Sequence, residues 1–477
     1  MSEERKKFYI VTPIYYVNDK PHVGHAYTTI AADVLARLHR QLGEDVFFQT
    51  GTDEHGAKIE QSAEKAGMGA KEFADEYSAK FSLAWDRLGI TPDNFIRTTD
   101  AYHAEAVTLF LNKLKESGKL YEGEYEGLYC VGHEAFIKES ELVDGVCPDH
   151  KTKPQLLKEK NWFFRLSDYG EKLKSLIEDN DLRIYPATRK NEVLSFISQG
   201  LEDIAISRPN VKWGLPLPWD EKQTVYVWVE ALFNYCSGIG YGEDEAKFKK
   251  YWPADIQLMA KDIIKFHCII WPALLLAIGE ALPEKTFAHG FFTINGQKMS
   301  KTIGNVVDPN DWVDRYGSDA VRYFLLREVP FGQDGDVSEE KLKARYNADL
   351  ANGLGNLFSR VTNMVEKYLA GEAEIEQSPK DLSGATEDLF NLDFSEALVK
   401  VWAEIAWANQ LIDKAKPWEL VKTEPEKVKT LLISLVALLS NIALVLSPVM
   451  PETAEKIRKH LEAERIVKAE PLFMKAD

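Results

Sequence analysis

The chain has 477 residues, which allows about three domains, and its 45% hydrophobic content excludes a disordered chain. Its formal charge of -17 excludes indiscriminate binding to nucleic acid, because such binding requires a broad positive surface, so any RNA contact must use a local patch. Its four cysteines lie outside any secreted-type framework and no signal-peptide pattern occurs, so we expect a reduced, cytoplasmic setting.

The first predicted element is a strand over residues 8–12, which leads through a loop into a helix with apolar residues at every fourth position. The N-terminus of such a helix favours an anion, because its free N–H groups and its dipole point at the ligand. His22 and His25 open the helix and can donate hydrogen bonds to a phosphate, and Gly24 lets a ligand approach the backbone closely. The alternative is a helix start with surface histidines.

Asp53 follows the second predicted strand, residues 46–50. The carboxyl ends of parallel strands share one edge of a sheet, so we expect Asp53 at the same edge as His22. There its carboxylate can pair with an ammonium group of a substrate. The alternative for residues 53–56 is an ordinary turn.

Between about residues 116 and 224 the pattern changes to short aromatic strands and turns, which predicts an insertion into the parallel sheet. It contains two Cys-x-x-His pairs, formed by Cys130 with His133 and by Cys147 with His150. Two knuckles of this kind can close a tetrahedral Zn²⁺ site. The alternative is a knuckle without metal.

The α/β pattern resumes over residues 225–295 and contains two aromatic-rich helical stripes, one of Trp228, Ala231 and Tyr235 and the other of Ile263, His267 and Trp271. Such stripes are usually plain core. A polar imidazole inside an aromatic wall instead favours a ligand slot, because a pure core seldom needs one.

Residues 296–304 combine glycine and small residues with two lysines, Lys298 and Lys301. Two ammonium groups on a mobile loop are suited to binding polyphosphate and releasing it. The alternative is a solvated basic loop.

After about residue 317 the sequence becomes helical, and amphipathic patterns over residues 394–414 and 428–446 predict a bundle. The uncharged stretch 431–450 is long enough to span a membrane. We expect no membrane span, because Ser434, Asn441 and Pro448 recur every seventh position, as on the less buried stripe of a bundle helix.

Asn356 and Arg360 share one helix face in this region, and Trp418 begins another helix. An amide, a guanidinium and an indole can together bond to and stack on an unstacked base. The alternative is a capped helix with a core tryptophan.

Residues 21–25 and 298–302 together resemble the HIGH and KMSKS signatures of class I aminoacyl-tRNA synthetases, with Val23 for Ile and Thr302 for the last Ser. Further segments occur in the order found in the methionyl-tRNA synthetase family, namely residues 12–16, 50–56, 227–231, 261–263 and 416–418. The resemblance covers nearly the whole chain, and its motifs are specific.

The resemblance implies that methionine and ATP form methionyl-adenylate and that methionine is then transferred to the 3′-terminal adenosine of tRNA(Met), with Mg²⁺ on the phosphates. It assigns catalysis to His22, His25, Lys298 and Lys301, and it adds Gly24 and Asp262 to the ATP site. Gln257 and Ala260 stand where the family more often has His and Gly, so the contacts to the nucleoside depart from the family pattern.

The resemblance also implies the methionine site, which consists of Ile14, Tyr16, Asp53, Trp228, Ala231, Leu232, Tyr235, Ile263, His267 and Trp271. It makes Zn²⁺ a second metal, although His133 stands where the family usually has Cys, and it makes Asn356, Arg360 and Trp418 the anticodon reader. We expect a monomer, since the resemblance to longer members ends near the last residue.

The predicted fold is therefore α/β: a Rossmann-like parallel-sheet catalytic domain, split by a zinc-knuckle connective insertion and followed by an α-helical bundle that binds the anticodon. The predicted divisions are residues 1–115 and 225–295 for the catalytic domain, 116–224 for the insertion, 296–345 for the lysine-loop and stem-contact region and 346–477 for the bundle. Two other functions remain open, a different class I synthetase such as the cysteine enzyme and a catalytically inert tRNA-binding module.

Overall fold

The structure is a computed structural model that describes residues 5–130, 135–137, 139–148, 151–299, 304–373, 378 and 380–476. The chain forms two compact units. The first consists of Met1–Pro21, Gly43–Leu83 and Thr91–His289, and the second of His22–Leu42, Ala84–Ile90 and Gly290–Asp477.

The strands, in chain order, are β1 (Lys7–Tyr16), β2 (Asp45–Asp53), β3 (Asn94–Arg97), β4 (Leu120–Cys130), β5 (Ala135–Ile137), β6 (Gln155–Phe164), β7 (Arg183–Tyr185), β8 (Ile204–Ala205), β9 (Ser207–Arg208), β10 (Pro216–Leu217), β11 (Asp220–Val225), β12 (Ile256–Ala260), β13 (Lys285–His289), β14 (Phe292–Ile294), β15 (Gln297–Lys298) and β16 (Gly335–Val337).

The α-helices are α1 (Val23–Gln41), α2 (Ala57–Ala66), α3 (Ala70–Arg87), α4 (Ala101–Glu116), α5 (Gly170–Glu178), α6 (Ala187–Ser198), α7 (Val227–Leu232), α8 (Asn234–Ser237), α9 (Glu245–Tyr251), α10 (Trp271–Ile278), α11 (Pro309–Tyr316), α12 (Ser318–Glu328), α13 (Glu339–Arg345), α14 (Asn356–Leu369), α15 (Ser383–Phe390), α16 (Phe394–Ala415), α17 (Pro417–Leu420), α18 (Pro425–Leu446) and α19 (Pro451–Leu461). Two π-helical segments, Phe266–Ile270 and Tyr346–Gly355, run directly into α10 and α14.

The first unit is built on a parallel sheet with the strand order β3-β2-β1-β12-β13-β7. β1 lies inside this sheet and is buried over most of its length, as expected for a parallel strand with an apolar run. The prediction of a parallel sheet interrupted by a long insertion is confirmed, since β1 to β3 precede the insertion and β12 and β13 follow it.

β7 lies at the edge of this sheet although it belongs to the predicted insertion 116–224, so that insertion is not wholly separate from the sheet. Ile184 of β7 is the register partner of Thr286 in β13. A strand of three residues is too short to produce a periodic signal, which is why the sequence did not reveal it. The remaining strands of the insertion form the antiparallel sheets β5-β4-β6-β8 and β10-β11-β9.

The second unit contains α1, the three-stranded sheet β15-β14-β16 and the predicted helical bundle, which is confirmed from α14 to α19. α18 is apolar and long enough to cross a membrane, with a mean hydropathy of 2.1 over the most apolar window. Its buried residues pack in the bundle, and Ser434 and Asn441 are half-buried as predicted. Pro448 lies beyond the end of α18 and is buried, so it does not belong to the less buried stripe.

A fully buried arginine of α12 joins three parts of the second unit. Arg322 donates to Asp33 of α1 at 2.7 Å, to the carbonyl of Leu88 at 3.2 Å, and to the carbonyls of Pro448 and Val449 at 2.7 and 2.8 Å. The helix that carries the two histidines is thereby fixed to the turn between α18 and α19.

Candidate functional site

The start of α1 is capped by its own histidines. His22 is the N-cap residue, and its Nδ1 accepts the backbone N–H of Gly24 at 3.1 Å. The backbone N–H of His22 in turn donates to Nδ1 of His25 at 3.3 Å. These two bonds satisfy backbone donors that every helix start leaves open, and they explain why two imidazoles stand at these positions.

The geometry determines which ring nitrogen carries the proton. The two rings stack with their centroids 3.7 Å apart and an interplanar angle of 18°. Burial, together with the neighbouring His22, holds the pKa of His25 well below its usual value, so His25 is neutral. Because Nδ1 of each ring accepts a backbone N–H, the proton of each neutral ring lies on Nε2, which can donate to a ligand.

The lysine segment begins as a β-hairpin. Asn295 and Gly296 connect β14 to β15 with φ values of 52° and 75°, as in the two-residue turns that favour Asn-Gly. Asp336 accepts the backbone N–H of Gly296 and the hydroxyl of Thr293, and the first of these bonds is the main reason that the pKa of Asp336 is lowered. Lys298 ends β15, and its side chain, like the whole of Lys301, lies outside the described residues.

The structure brings the histidine and lysine segments together within the second unit. The backbone N–H of Val23 donates to the carbonyl of Val307 at 3.0 Å. A Cβ at Gly24 would lie 2.9 Å from Cε1 of His22 and 3.4 Å from Cε of Met299. A larger residue here would therefore require the His22 ring to move, a packing constraint beyond the access to backbone expected from sequence.

In the first unit, the two predicted aromatic stripes meet at His267. Nδ1 of His267 donates to the carbonyl of Ile263 at 3.0 Å, so Nε2 accepts the hydroxyl proton of Tyr235 at 2.7 Å. Burial lowers the pKa of His267 to about 4, which keeps the ring neutral. The rings of Tyr235 and Trp271 lie 6.1 Å apart, so residues from both predicted stripes meet.

His267 lies in the π-helical segment, and sequence reasoning did not anticipate this backbone. Single π turns inside helices often occur at functional sites. Trp228 stacks on Phe266 at 3.9 Å with an interplanar angle of 8°, so Phe266 belongs to this aromatic group although the sequence did not single it out. Ala231 and Leu232 are both buried on α7.

The ends of β1 and β2 bring the polar side of this site together. Ile14 pairs in register with Gly51, and Tyr16 pairs with Asp53. The Asp53 side chain is nearly buried, and the hydroxyl of Tyr16 donates to the carbonyl of His55 at 2.9 Å. The expected position of Asp53 at the carboxyl end of a parallel strand is thus observed.

Residues beside Asp53 make buried polar contacts that the sequence did not reveal. The Glu54 carboxylate accepts Arg97 at 2.7 and 2.9 Å and the Thr99 hydroxyl at 2.6 Å. His55 Nδ1 lies 2.5 Å from Oε1 of Glu230. Each partner is more than forty positions away, and without co-varying sequences a single chain carries no signal for such pairs.

The predicted nucleoside contacts differ in exposure. Asp262 is exposed, and Ala260 is half-buried at the end of β12. Gln257 is 1% exposed, and its side-chain atoms make no hydrogen bond to any described residue. It therefore lies inside the sheet, in register with Thr286 of β13.

The predicted zinc site is described only in part. Cys130 ends β4 next to its register partner Ala135, and Cys147 lies in a turn where its carbonyl accepts the N–H of Lys151 at 2.8 Å. Both cysteines are buried. His133 and His150 lie outside the described residues, and among the residues that are described no group of three metal-binding side chains occurs.

Asn356 and Arg360 lie on α14 and contact α16. Asn356 donates to the side-chain carbonyl of Asn409 at 3.0 Å, and Arg360 donates to Asp413 at 2.6 Å. Trp418 follows α16 and is 43% exposed. Its predicted surface position is confirmed, whereas its contact with a base remains a prediction.

Comparison with known proteins places this geometry in a family. A family profile described as tRNA synthetases class I (M) matches residues 8–155 and 140–362, and one described as the anticodon binding domain of methionyl tRNA ligase matches residues 366–471. The methionine–tRNA ligase of Caldanaerobacter subterraneus is 48% identical over 475 residues, which cover 96% of this chain and 74% of that protein. The corresponding ligase of Thermotoga maritima is 44% identical, with 99% and 80% covered.

A solved structure agrees with the sequence relatives. Mycobacterium tuberculosis methionyl-tRNA synthetase in complex with methionyl-adenylate has a TM-score of 0.91 to this chain at 40% identity, with 98% of this chain and 99% of that chain covered. The free-state structure of the same enzyme has a TM-score of 0.84 at 36% identity, with 100% and 99% covered.

Proposed function

Since the chain belongs to the family of class I methionine–tRNA ligases, we propose how its residues share that family's reaction. The chain activates methionine with ATP, releases pyrophosphate and transfers methionine to tRNA. This membership excludes the two other functions considered, a cysteine enzyme and an inert binding module.

For methionine, the proposed slot is the aromatic group around Tyr235 and His267. Their hydrogen bond uses the polar atoms of both side chains, so the surfaces left for the ligand are apolar and suit a thioether. Asp53 is proposed to bind the ammonium group of the substrate, because it is a nearly buried carboxylate at a strand end. The other proposed contacts are Ile14, Tyr16, Trp228, Ala231, Leu232, Ile263 and Trp271.

For ATP, we propose that Nε2–H of His22 and of His25 donate to the phosphates. A neutral donor suits this task, because its hydrogen bond strengthens as charge develops in the transition state. Lys298 and Lys301 are proposed to bind the leaving pyrophosphate, with Gly24 and Asp262 completing the nucleotide site. Mg²⁺ carried by ATP neutralises phosphate charge.

The observation that carries this proposal is that the two predicted phosphate-binding segments lie close together. A Cβ at Gly24 would lie 3.4 Å from Cε of Met299, and Val23 donates to Val307, which follows the lysine segment. Catalysis then consists of positioning, because the methionine carboxylate attacks the α-phosphorus directly and no enzyme nucleophile is needed. Methionine-dependent exchange of pyrophosphate into ATP, followed by charging of tRNA(Met), tests it. Absence of exchange in metal-replete enzyme would overturn it.

Zn²⁺ is proposed to be bound by Cys130, His133, Cys147 and His150. The fit rests on two buried thiols, each at a chain reversal, which suits the knuckle form of structural zinc sites. The metal would stabilise the insertion and take no part in the reaction.

For tRNA, we propose that Asn356, Arg360 and Trp418 bind the anticodon. The amide and guanidinium are pre-oriented by Asn409 and Asp413, and the exposed indole is available for stacking on a base. The chain is proposed to act as a cytoplasmic monomer, with the domain divisions stated in the sequence analysis.

A further inference from the structure

A buried ion pair joins two segments that carry methionine-site residues in the first unit. Glu230 lies on α7 between Trp228 and Ala231, and His55 lies two positions after Asp53. Nδ1 of His55 and Oε1 of Glu230 are 2.5 Å apart, and the two side chains are 7% and 1% exposed. Removing one partner of a pair so well buried is costly, because it leaves the other charge buried without compensation.

The surroundings favour a proton on His55. Burial lowers the pKa of His55, but the carboxylates of Glu230 and Glu54 outweigh burial, and the pKa is raised above its usual value. His103 Nε2 lies 4.0 Å from Oε1 of Glu230, which is too far for a hydrogen bond. Burial lowers the pKa of His103 to about 3, and its Nδ1 lies 2.7 Å from the Ser237 hydroxyl, so His103 stays neutral.

The backbone around His55 is held on both sides. The N–H of Gly56 donates to the carbonyl of Trp213 at 2.9 Å, and the Trp213 indole donates to the carbonyl of Glu54. The carbonyl of His55 accepts the Tyr16 hydroxyl at 2.9 Å. The imidazole therefore projects from a fixed frame, and its bond to Glu230 links that frame to α7.

We propose that Glu230 and His55 are positioning residues for methionine, which hold Trp228 and Ala231 of α7 at the correct distance from Asp53. The proposal rests on the methionine-binding roles proposed above. Glu230 Oε2 makes no hydrogen bond to any described residue, so neutralising His55 leaves a buried carboxylate without compensation. The carboxylate would move toward water and shift α7 with it, and a displacement of even about 1 Å weakens substrate positioning.

The test uses E230Q, H55Q and the double variant in pyrophosphate exchange. We expect each single variant to raise the KM for methionine about tenfold or more, the loss typical of one charge-assisted hydrogen bond, with the KM for ATP unchanged. The double variant should be no worse than the single ones, because the two residues act as a unit. Additive losses, or an unchanged KM for methionine in both single variants, would overturn the proposal.

One control variant separates positioning from a general loss of stability. Asp255 pairs with Lys7 at 2.9 Å at the first residue of β1, away from the strand end that carries Tyr16, so D255N should lower thermal stability without raising the KM for methionine. A KM raised equally by D255N would show that mere destabilisation is responsible.

D53N distinguishes this proposal from the methionine site itself. An unchanged KM for methionine in D53N refutes the proposed ammonium site, and the positioning proposal with it. A raised KM in D53N, together with an unchanged KM in E230Q and H55Q, refutes the positioning pair alone. If E230Q does not fold, the KM of H55Q for methionine tests the positioning proposal alone. The amide of H55Q can still donate to Glu230 but carries no charge.

Discussion

The two histidines at the start of α1 obtain their chemistry from the backbone around them. Each Nδ1 accepts a backbone N–H, which leaves a proton on Nε2 of the neutral ring. The sequence predicted phosphate donors at these positions, but it could not assign the ring nitrogen, because the assignment depends on the conformation of three consecutive peptide groups.

We expect His22→Ala and Lys298→Ala each to slow adenylate formation about a hundredfold or more, the scale typical of removing one donor to developing charge. The KM for methionine should change little, since neither residue belongs to the methionine slot. Pyrophosphate-exchange kinetics measure both quantities, and unchanged rates in both variants would remove the catalytic assignment. H39A, on the last turn of the same helix, is the control and should keep the normal rate.

Trp418 is predicted to lie on the bundle surface and to stack on an anticodon base. Because the indole is 43% exposed, Trp418→Ala should barely change the melting temperature. Loss of stacking on a base should lower kcat/KM for tRNA charging by a factor that corresponds to about 1–3 kcal/mol of activation free energy. Pyrophosphate exchange without tRNA should stay normal.

Trp402 is the matched control for that variant. Its indole donates to the carbonyl of Asp349 at 3.1 Å, and its ring lies 4.3 Å from Tyr323, so Trp402→Ala should lower the melting temperature. A Trp418→Ala protein that melts early yet charges tRNA normally would show that the anticodon reader lies elsewhere.

Among the elements, β1 and β2 could be predicted from their strand-like runs at residues 8–12 and 46–50, whereas the three-residue β7 could not. The stripe of Ile263, His267 and Trp271 was assigned from α-helical spacing, although His267 lies in a π segment. The assignment succeeded in part because the ring of His267 bonds to the carbonyl four positions earlier, which keeps it near Ile263. Phe266 was missed, because its stacking on Trp228 depends on that local widening of the helix.

The insertion is predicted to bind zinc. We expect about one Zn²⁺ per chain in protein purified without chelator, because two Cys-x-x-His pairs at knuckle spacing can close a tetrahedral site. Cys147→Ala should lose the metal and lower the melting temperature.

Cys268→Ala is the control for the zinc prediction. Cys268 is buried on the way into α10, and burial raises the pKa of its thiol to about 12, so it stays a neutral core residue. Elemental analysis should find a normal metal content in this variant. An unchanged metal content in Cys147→Ala would contradict the predicted site.

The fold of the whole molecule depends on contacts between segments that lie far apart in the chain. α1 follows β1 in sequence but is compact with the second unit, and its Asp33 pairs with Arg322 across 289 positions. Local periodicity predicts that a helix exists, but it carries no information about which distant segments that helix contacts. The parallel sheet and the helical bundle could therefore be predicted, whereas the division into two units could not.

The buried histidines are predicted to lower the stability of the protein in acid. Burial lowers the pKa of His103 to about 3 and that of His267 to about 4, and it also lowers the pKa of His25. As the pH falls, such a histidine takes up a proton in the unfolded chain at a higher pH than in the folded protein. The free energy of unfolding therefore decreases once the pH drops below about 6.5, the pKa of histidine in an unfolded chain. His55 has a raised pKa, so its effect on the pH dependence of stability is opposite. It is one histidine against three.

We therefore expect the melting temperature to decrease between pH 7 and pH 5, measured without ligands. His103→Asn should reduce this decrease, because the amide can keep the bond to Ser237 but takes up no proton. An equal decrease of the melting temperature in the wild type and in His103→Asn would contradict the lowered pKa of His103.

During synthesis on the ribosome, α18 passes through water as a helix apolar enough to enter a membrane, with a mean hydropathy of 2.1. α14, on which it packs, has already been made, and α19 begins at Pro451, shortly after α18 ends at Leu446. At ribosomal rates of about 5–20 residues per second, α19 follows within a few seconds. Chains interrupted between the two helices keep that apolar surface open and become substrates for chaperones and proteases, so the order of the helices protects the nascent chain.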